Sequence, residues 1–103
     1  MAKKKPPDEQ PVPIQIIRLS PIFTSKFKAD LGWWFKNDPK KAEKVLDLVT
    51  AVMAEPFFGL GKPEPLKYME ANIWSRRLDL EHRFVYLVGN EEISFLSCRY
   101  HYE

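Results

Sequence analysis

Three kinds of side chain in the second half of this sequence could move protons and hold a phosphate. His101 carries an imidazole, which titrates near about 6.5 when unperturbed and can take or give a proton at neutral pH. It stands in Arg99-Tyr100-His101-Tyr102 at the end of a strand-like run; a frayed polar terminus would read the same way. Glu64 lies between Pro63 and Pro65. Two prolines restrict the backbone around it, which suits a positioned base, although a solvated loop acid has the same signature. Arg76, Arg77 and Arg83 can contact phosphate through a planar fork and stabilise a pentacovalent transition state. Lys62 and Lys67 flank Glu64 and add positive charge.

Other chemistries find less support. The single cysteine, Cys98, cannot form an internal disulfide. With His82 and His101 it makes too small a set for structural zinc. Strand alternation sets Cys98 on the face opposite Arg99 and His101, as a packed core thiol. Gly59-Leu60-Gly61-Lys62 lacks the spacing and the following Ser/Thr of a phosphate-cradling loop. Trp33, Trp34 and Tyr68 could stack bases, and equally suit core or dimer packing. What remains is carboxylate, imidazole and arginine, with no metal or cofactor expected. That set suits cleavage of RNA by its own 2′-hydroxyl: a base takes the 2′-OH proton, the oxygen attacks the adjacent phosphorus, and an acid protonates the leaving 5′-oxygen.

These residues must be placed by a small scaffold. The chain has 103 residues, the size of one domain at roughly 100–200 residues each. It is 45% hydrophobic and 29% charged, a globular balance. The net charge of +2 permits a nucleic-acid partner without demanding one. The longest apolar run, residues 84–88, falls far short of the about 20 residues that cross a bilayer. Lys3, Lys4 and Lys5 are followed by Pro6-Pro7-Asp8-Glu9-Gln10, which is no apolar signal core, so residence in the cytoplasm is expected.

Residues 1–13, rich in Lys and Pro, read as a disordered arm, and residues 14–103 as the folded domain. A β-prone run covers residues 14–19. Ser20-Pro21 reads as a cap and first helical residue, and Phe23, Phe27, Leu31 and Trp34 continue a helix to about residue 36. Asp38-Pro39 opens a second helix on which Ala42, Val45, Leu46, Val49, Val52 and Met53 form an apolar stripe, and Pro56 stops it. The link at Asn37-Asp38 is short enough for a helical hairpin. Strands follow at residues 73–80, 84–88 and 93–100, the last two joined by a turn at Gly89-Asn90-Glu91-Glu92. In the first of these strands Arg76 and Arg77 face opposite sides, so at least one must serve structure or a partner. The order β-α-α-β-β-β implies an α+β fold, an antiparallel sheet with the helical hairpin on one face.

Four stretches, Gly61-Lys62-Pro63-Glu64-Pro65-Leu66-Lys67, Trp74-Ser75-Arg76-Arg77, His82-Arg83-Phe84-Val85-Tyr86 and Cys98-Arg99-Tyr100-His101-Tyr102, closely resemble the YoeB/Txe toxins of bacterial toxin–antitoxin systems, in the RelE superfamily of mRNA interferases. The resemblance implies a RelE-like fold and a ribosome-dependent endoribonuclease that cuts mRNA in the A site. By position, Glu64 resembles the general base, His101 the general acid, Arg83 the arginine on the transition-state phosphate, and Tyr102 the tyrosine that orients the reacting nucleotide. Lys62, Lys67, Arg76 and Arg77 are the basic residues expected to meet RNA or ribosome. The family implies a homodimer and a cognate antitoxin of the YefM/Phd kind, whose disordered segment folds over the toxin.

Two features depart from the family pattern. Glu103 follows the terminal His-Tyr pair and sets a carboxylate beside His101, and the Pro-rich arm precedes the domain. Ideal alternation would also send His101 and Tyr102 to opposite faces, so both serve one site only if the strand has ended before them. Two other readings fit the same fold: a non-enzymatic, ParE-like toxin that inhibits by binding, and a module that acts only with its antitoxin as a DNA-binding autorepressor.

Overall fold

The computed structural model describes residues 19–67, 69 and 72–100. The expected arm, residues 14–18 of the first β-prone run, Tyr68, His101, Tyr102 and Glu103 lie outside the described residues. The elements are β1 (Ser20–Phe23), α1 (Ser25–Asn37), α2 (Pro39–Ala54), β2 (Glu64–Pro65), β3 (Ile73–Arg77), β4 (Arg83–Val88) and β5 (Glu92–Ser97). They build one sheet in the order β1-β5-β4-β3-β2. The pairs β3–β4 and β4–β5 are antiparallel, as expected; Glu64–Pro65, outside the expected strands, adds the short edge strand β2 antiparallel to β3, and β1 adds to β5 in parallel, so the sheet is mixed rather than wholly antiparallel. A parallel pair needs a long crossover, which the helical hairpin and the following strands supply.

The first helix starts later than Ser20-Pro21 suggested. Ser20 N donates to Glu91 O at 3.0 Å and Thr24 N to Phe95 O at 3.2 Å, so this stretch extends along β5. Pro21 has no N–H to offer and is tolerated because β1 is an edge strand. Thr24 is the real cap: its hydroxyl accepts from Phe27 N at 3.1 Å and lies 3.0 Å from Phe95 O. Phe23 therefore packs as a strand residue, its ring 5.1 Å from that of Phe95. The second helix begins as expected, with Asp38 capping Lys41 N and Pro39 in the first turn.

The core lies between the helices and one face of the sheet. Phe27 and Trp34 of α1 and Ala42, Val45, Leu48 and Val52 of α2 meet Phe84, Tyr86 and Val88 of β4 and Ile93 and Phe95 of β5. Full burial of each large apolar side chain contributes about 1.5–3 kcal/mol. The stripe on α2 is rotated from the expected one: Leu48 is fully buried and Leu46 is 45% exposed.

Two strands end early. β3 stops at Arg77, because Leu78 N bonds to His82 O at 3.1 Å and Asp79 Oδ1 accepts from Glu81 N and His82 N at 2.8 and 2.6 Å. Leu80, at the tip of this turn, is 93% exposed. In the β4–β5 ladder a bulge shifts the register, pairing Tyr86 with Phe95 and Val85 with Ser97. β5 then ends at Ser97, three residues before Tyr100. The alternation that would have separated His101 from Tyr102 is thus broken before it reaches them.

Candidate active site

Glu64 opens the two-residue edge strand β2, where it pairs with Ser75 of β3. Arg77, two residues further along β3, pairs directly with Arg83, the first residue of β4. Register partners share a face, and so do residues two apart. Glu64, Arg77 and Arg83 therefore stand on one face of the sheet. Phe84 and Tyr86 pack against the helices on the other. Two strand spacings and two residues along the strand separate Glu64 from Arg83, about 12 Å between Cα atoms. Like charges directly opposite one another destabilise a sheet. An exposed Arg77 beside a half-buried Arg83 is the sort of arrangement an anion relieves.

The backbone around Glu64 is pinned at both ends. Arg77 N donates to Gly61 O at 2.7 Å and Leu66 N to Ile73 O at 2.8 Å. Gly61 (φ +85°) and Lys62 (φ +54°) take left-handed conformations that swing the chain into β2. Lys62, Glu64, Lys67 and Arg77 are all exposed, so the carboxylate has cationic neighbours and open access. Arg83 is half-buried; its Nη1 donates to Asp79 O at 3.1 Å and to His82 O at 3.3 Å. Its other two nitrogens have no protein partner among the described residues.

Arg76, expected among the residues that meet RNA or ribosome, does not reach the surface. Its side chain is fully buried, on the face opposite Arg77. Nη2 donates to Glu55 O at 2.6 Å and Phe58 O at 3.0 Å, Nη1 to Leu60 O at 2.9 Å, and Nε to the Tyr86 hydroxyl at 3.1 Å. The guanidinium gathers the carbonyls of the loop between α2 and β2, so it holds the loop that carries Glu64 and reaches no surface. Trp34 is buried and is no open stacking platform, while Trp33 is exposed, with the Arg99 guanidinium 3.7 Å from the centre of its ring.

The segment that leads to His101 is held by groups the sequence reading had not singled out. Cys98 N donates to Asp30 Oδ2 at 3.0 Å, and Trp34 Nε1 donates to Cys98 O at 2.8 Å. Arg83 N donates to Tyr100 O at 3.0 Å and Tyr100 N to His82 Nδ1 at 2.6 Å. Asp30 is 5% exposed and takes an ion pair from Lys26 at 3.1 Å. Its signal was available: an acid at i+3 from Phe27 and i−4 from Trp34 falls on the buried helix face, where a charge needs a partner. Cys98 packs in the core as expected. Burial, with the Asp30 carboxylate beside it, pushes its thiol up to about 12, so it is no nucleophile at neutral pH.

Among the described residues no three His, Cys, Asp or Glu side chains are grouped to hold a metal ion, and no helix is long and apolar enough to cross a membrane. The structure thus brings Glu64, Arg77 and Arg83 to one face and ties Tyr100 to Arg83; His101 and Tyr102 lie outside the described residues.

Comparison with known proteins places the fold and the family. The family described as the YoeB-like toxin of bacterial type II toxin-antitoxin systems matches residues 23–102. The toxin YoeB of Synechocystis sp. is 41% identical over 81 residues, 79% of this chain and 94% of that protein. A solved YoeB/ParE toxin from Agrobacterium tumefaciens superposes with a TM-score of 0.75 at 40% identity, covering 82% of this chain and 100% of the other. YoeB of Staphylococcus aureus, solved as a dimer, gives 0.75 at 36% identity over 82% and 99%. The same protein solved as a heterotetrameric YoeB–YefM complex gives 0.69 at 34% over 82% and 99%. On the match across the sheet, the helical hairpin and all four motifs, the chain belongs to the family of YoeB-like toxins of bacterial type II toxin–antitoxin systems.

Proposed function

We propose that the chain is a ribosome-dependent endoribonuclease that cleaves mRNA in the A site and so stops translation in the cytoplasm. The observation that carries this reading is the Arg77–Arg83 register pair on the same sheet face as Glu64, two neighbouring guanidinium side chains beside a carboxylate.

In this reading Glu64 takes the proton of the 2′-hydroxyl. The freed oxygen attacks the adjacent phosphorus, and Arg83, with Arg77 beside it, stabilises the charge that gathers on the phosphoryl oxygens. The bond from phosphorus to the 5′-oxygen breaks, and His101 donates the proton that this oxygen needs. Tyr102 orients the nucleotide. The bond from Arg83 N to Tyr100 O supports a place for His101 near Arg83. Lys62 and Lys67 meet phosphates of mRNA or ribosomal RNA. The reaction transfers protons and stabilises charge, and calls for no metal. By analogy with the Staphylococcus aureus structures, the chain pairs with a second copy and is neutralised by a YefM-like antitoxin.

Purified chain should be incubated with mRNA, with and without programmed ribosomes, and cleavage mapped by primer extension. Cleavage at A-site codons that needs ribosomes and is lost in Glu64→Ala, Arg83→Ala and His101→Ala supports the reading. Growth arrest with no cleavage overturns it in favour of a ParE-like binding toxin.

A further inference from the structure

We infer that His82 is a positioning residue for the proposed reaction: its Nδ1 accepts a hydrogen bond from Tyr100 N–H and thereby sets the peptide that carries His101. The inference rests on the reading of His101 as the acid.

The geometry is specific. Tyr100 N lies 2.6 Å from His82 Nδ1, so Nδ1 is the acceptor and the ring proton sits on Nε2. Tyr100 has φ +71°, a left-handed conformation that a tyrosine keeps only where surrounding contacts over-determine it. Two adjacent residues supply those contacts. His82 takes the Tyr100 amide through its side chain, and Arg83 gives its own amide to the Tyr100 carbonyl at 3.0 Å. The backbone turn in front of His101 is thus held from both sides by the residue proposed to bind phosphate and by its neighbour.

His82 is itself fixed. Its amide donates to Asp79 Oδ1 at 2.6 Å and its carbonyl accepts from Leu78 N at 3.1 Å. Its ring stands edge-on to Trp34, with centroids 4.9 Å apart at 90°, and tilted against Tyr100 at 5.8 Å. Only 13% of the side chain is exposed. A ring this constrained transmits its position to what it holds.

The test uses the full chain as native protein, His82→Phe and His82→Asn. The phenylalanine keeps the ring packing and removes the acceptor; the asparagine restores an acceptor. The Tyr100 amide is followed by NMR, as proton shift and protection factor. Turnover on programmed ribosomes is split into kcat and KM. The native amide should be protected. His82→Phe should lack protection and lose about tenfold in kcat with KM unchanged, since misplacing a reacting group costs rate rather than binding. His82→Asn should recover both. Equal protection in native protein and His82→Phe, or unchanged kcat once protection is lost, overturns the inference. The amide readout does not need cleavage: an inactive native chain whose amide still depends on His82 defeats the proposed reaction, while an active chain whose amide ignores His82 defeats the anchor alone.

Discussion

The Arg76 guanidinium and the Tyr86 hydroxyl are bonded to each other, 3.1 Å from Nε to oxygen, and both are bonded to the same loop. Tyr86 donates onward to Pro56 O at 2.5 Å, while Arg76 takes the carbonyls of Glu55, Phe58 and Leu60. A buried cation with no carboxylate beside it is stabilised here by four oxygen dipoles. Together the two side chains, on neighbouring strands, hold the loop that delivers Glu64 to the sheet edge.

Replacing Arg76 therefore unties a loop rather than weakening a surface. Arg76→Met leaves several buried carbonyls without donors, at about 1–3 kcal/mol each where water cannot enter. The variant should lose on the order of 3 kcal/mol in urea unfolding. Arg76→Lys, with one compact ammonium in place of a planar fork, should recover less than half of that. A variant as stable as native would mean that the loop holds itself.

Gly61 is the other fixed point of that loop. At φ +85° an L side chain is strained, and an added Cβ would meet Arg76 Cβ at 3.0 Å, Leu48 Cδ2 at 3.1 Å and the Arg77 carbonyl at 3.2 Å. None of these can withdraw cheaply. Gly61→Ala should cost about 1–3 kcal/mol and should lower any cleavage more than its stability loss explains, since Glu64 lies three residues on. Circular-dichroism melts beside cleavage assays would separate the two effects.

Local signals made some of this legible and left the rest hidden. Asp38-Pro39 and the period of residues 42–53 were enough for α2, because cap, first-turn proline and apolar stripe agree. Ser20-Pro21 suits a helix start as well as an edge strand, and what decides it is the Glu91 and Phe95 carbonyls some seventy residues away. Alternation showed that Arg76 and Arg77 part company. Which of them turns inward depends on carbonyls of the 55–60 loop that no period reveals. Glu64 and Arg83 were visible through their motifs, and their shared face became explicit only with the register. Asp30 and His82 hold the segment before His101 through backbone groups of residues 98–100; the spacing of Asp30 from Phe27 and Trp34 marks it as buried, but nothing in the spacing names its partner, and His82 leaves no trace there.

Cys98 should be silent to thiol reagents. It is fully buried, and its thiol, pushed up to about 12 by burial and by the Asp30 carboxylate, stays protonated. Native chain treated with a disulfide reagent near pH 8 should show no modification while folded and one modified thiol after unfolding in urea. Rapid labelling of the folded chain would show that the Asp30–Cys98–Trp34 contact opens readily.

Asp79 makes the turn before β4 sensitive to acid. Burial alone would raise its carboxyl, but the amides of Glu81 and His82 and the Lys41 ammonium outweigh that and hold it below the ordinary carboxylate range. A depressed value in the folded state means stability that is present above the unfolded pKa and is lost as pH falls through the folded one. Asp79→Asn should therefore lower the urea midpoint at neutral pH, by no more than about 1 kcal/mol because the pair is partly exposed. The gap to native should close as pH falls through the folded-state pKa of Asp79.

Glu64 and Arg83 should separate stability from activity in different ways. Glu64 is exposed on a two-residue strand and its carboxylate makes no hydrogen bond among the described residues, so Glu64→Gln should leave stability within about 0.5 kcal/mol of native. If it is the base, cleavage on programmed ribosomes should fall by about 10²–10⁴-fold. Arg83→Ala removes the bonds to Asp79 O and His82 O and should cost about 1 kcal/mol as well as activity. It also relieves the like-charge pair with Arg77, which returns part of that loss. Added phosphate or a short RNA should accordingly raise the melting temperature of native protein more than that of Arg83→Ala. An equal rise in both would place the anion elsewhere than between the two arginines.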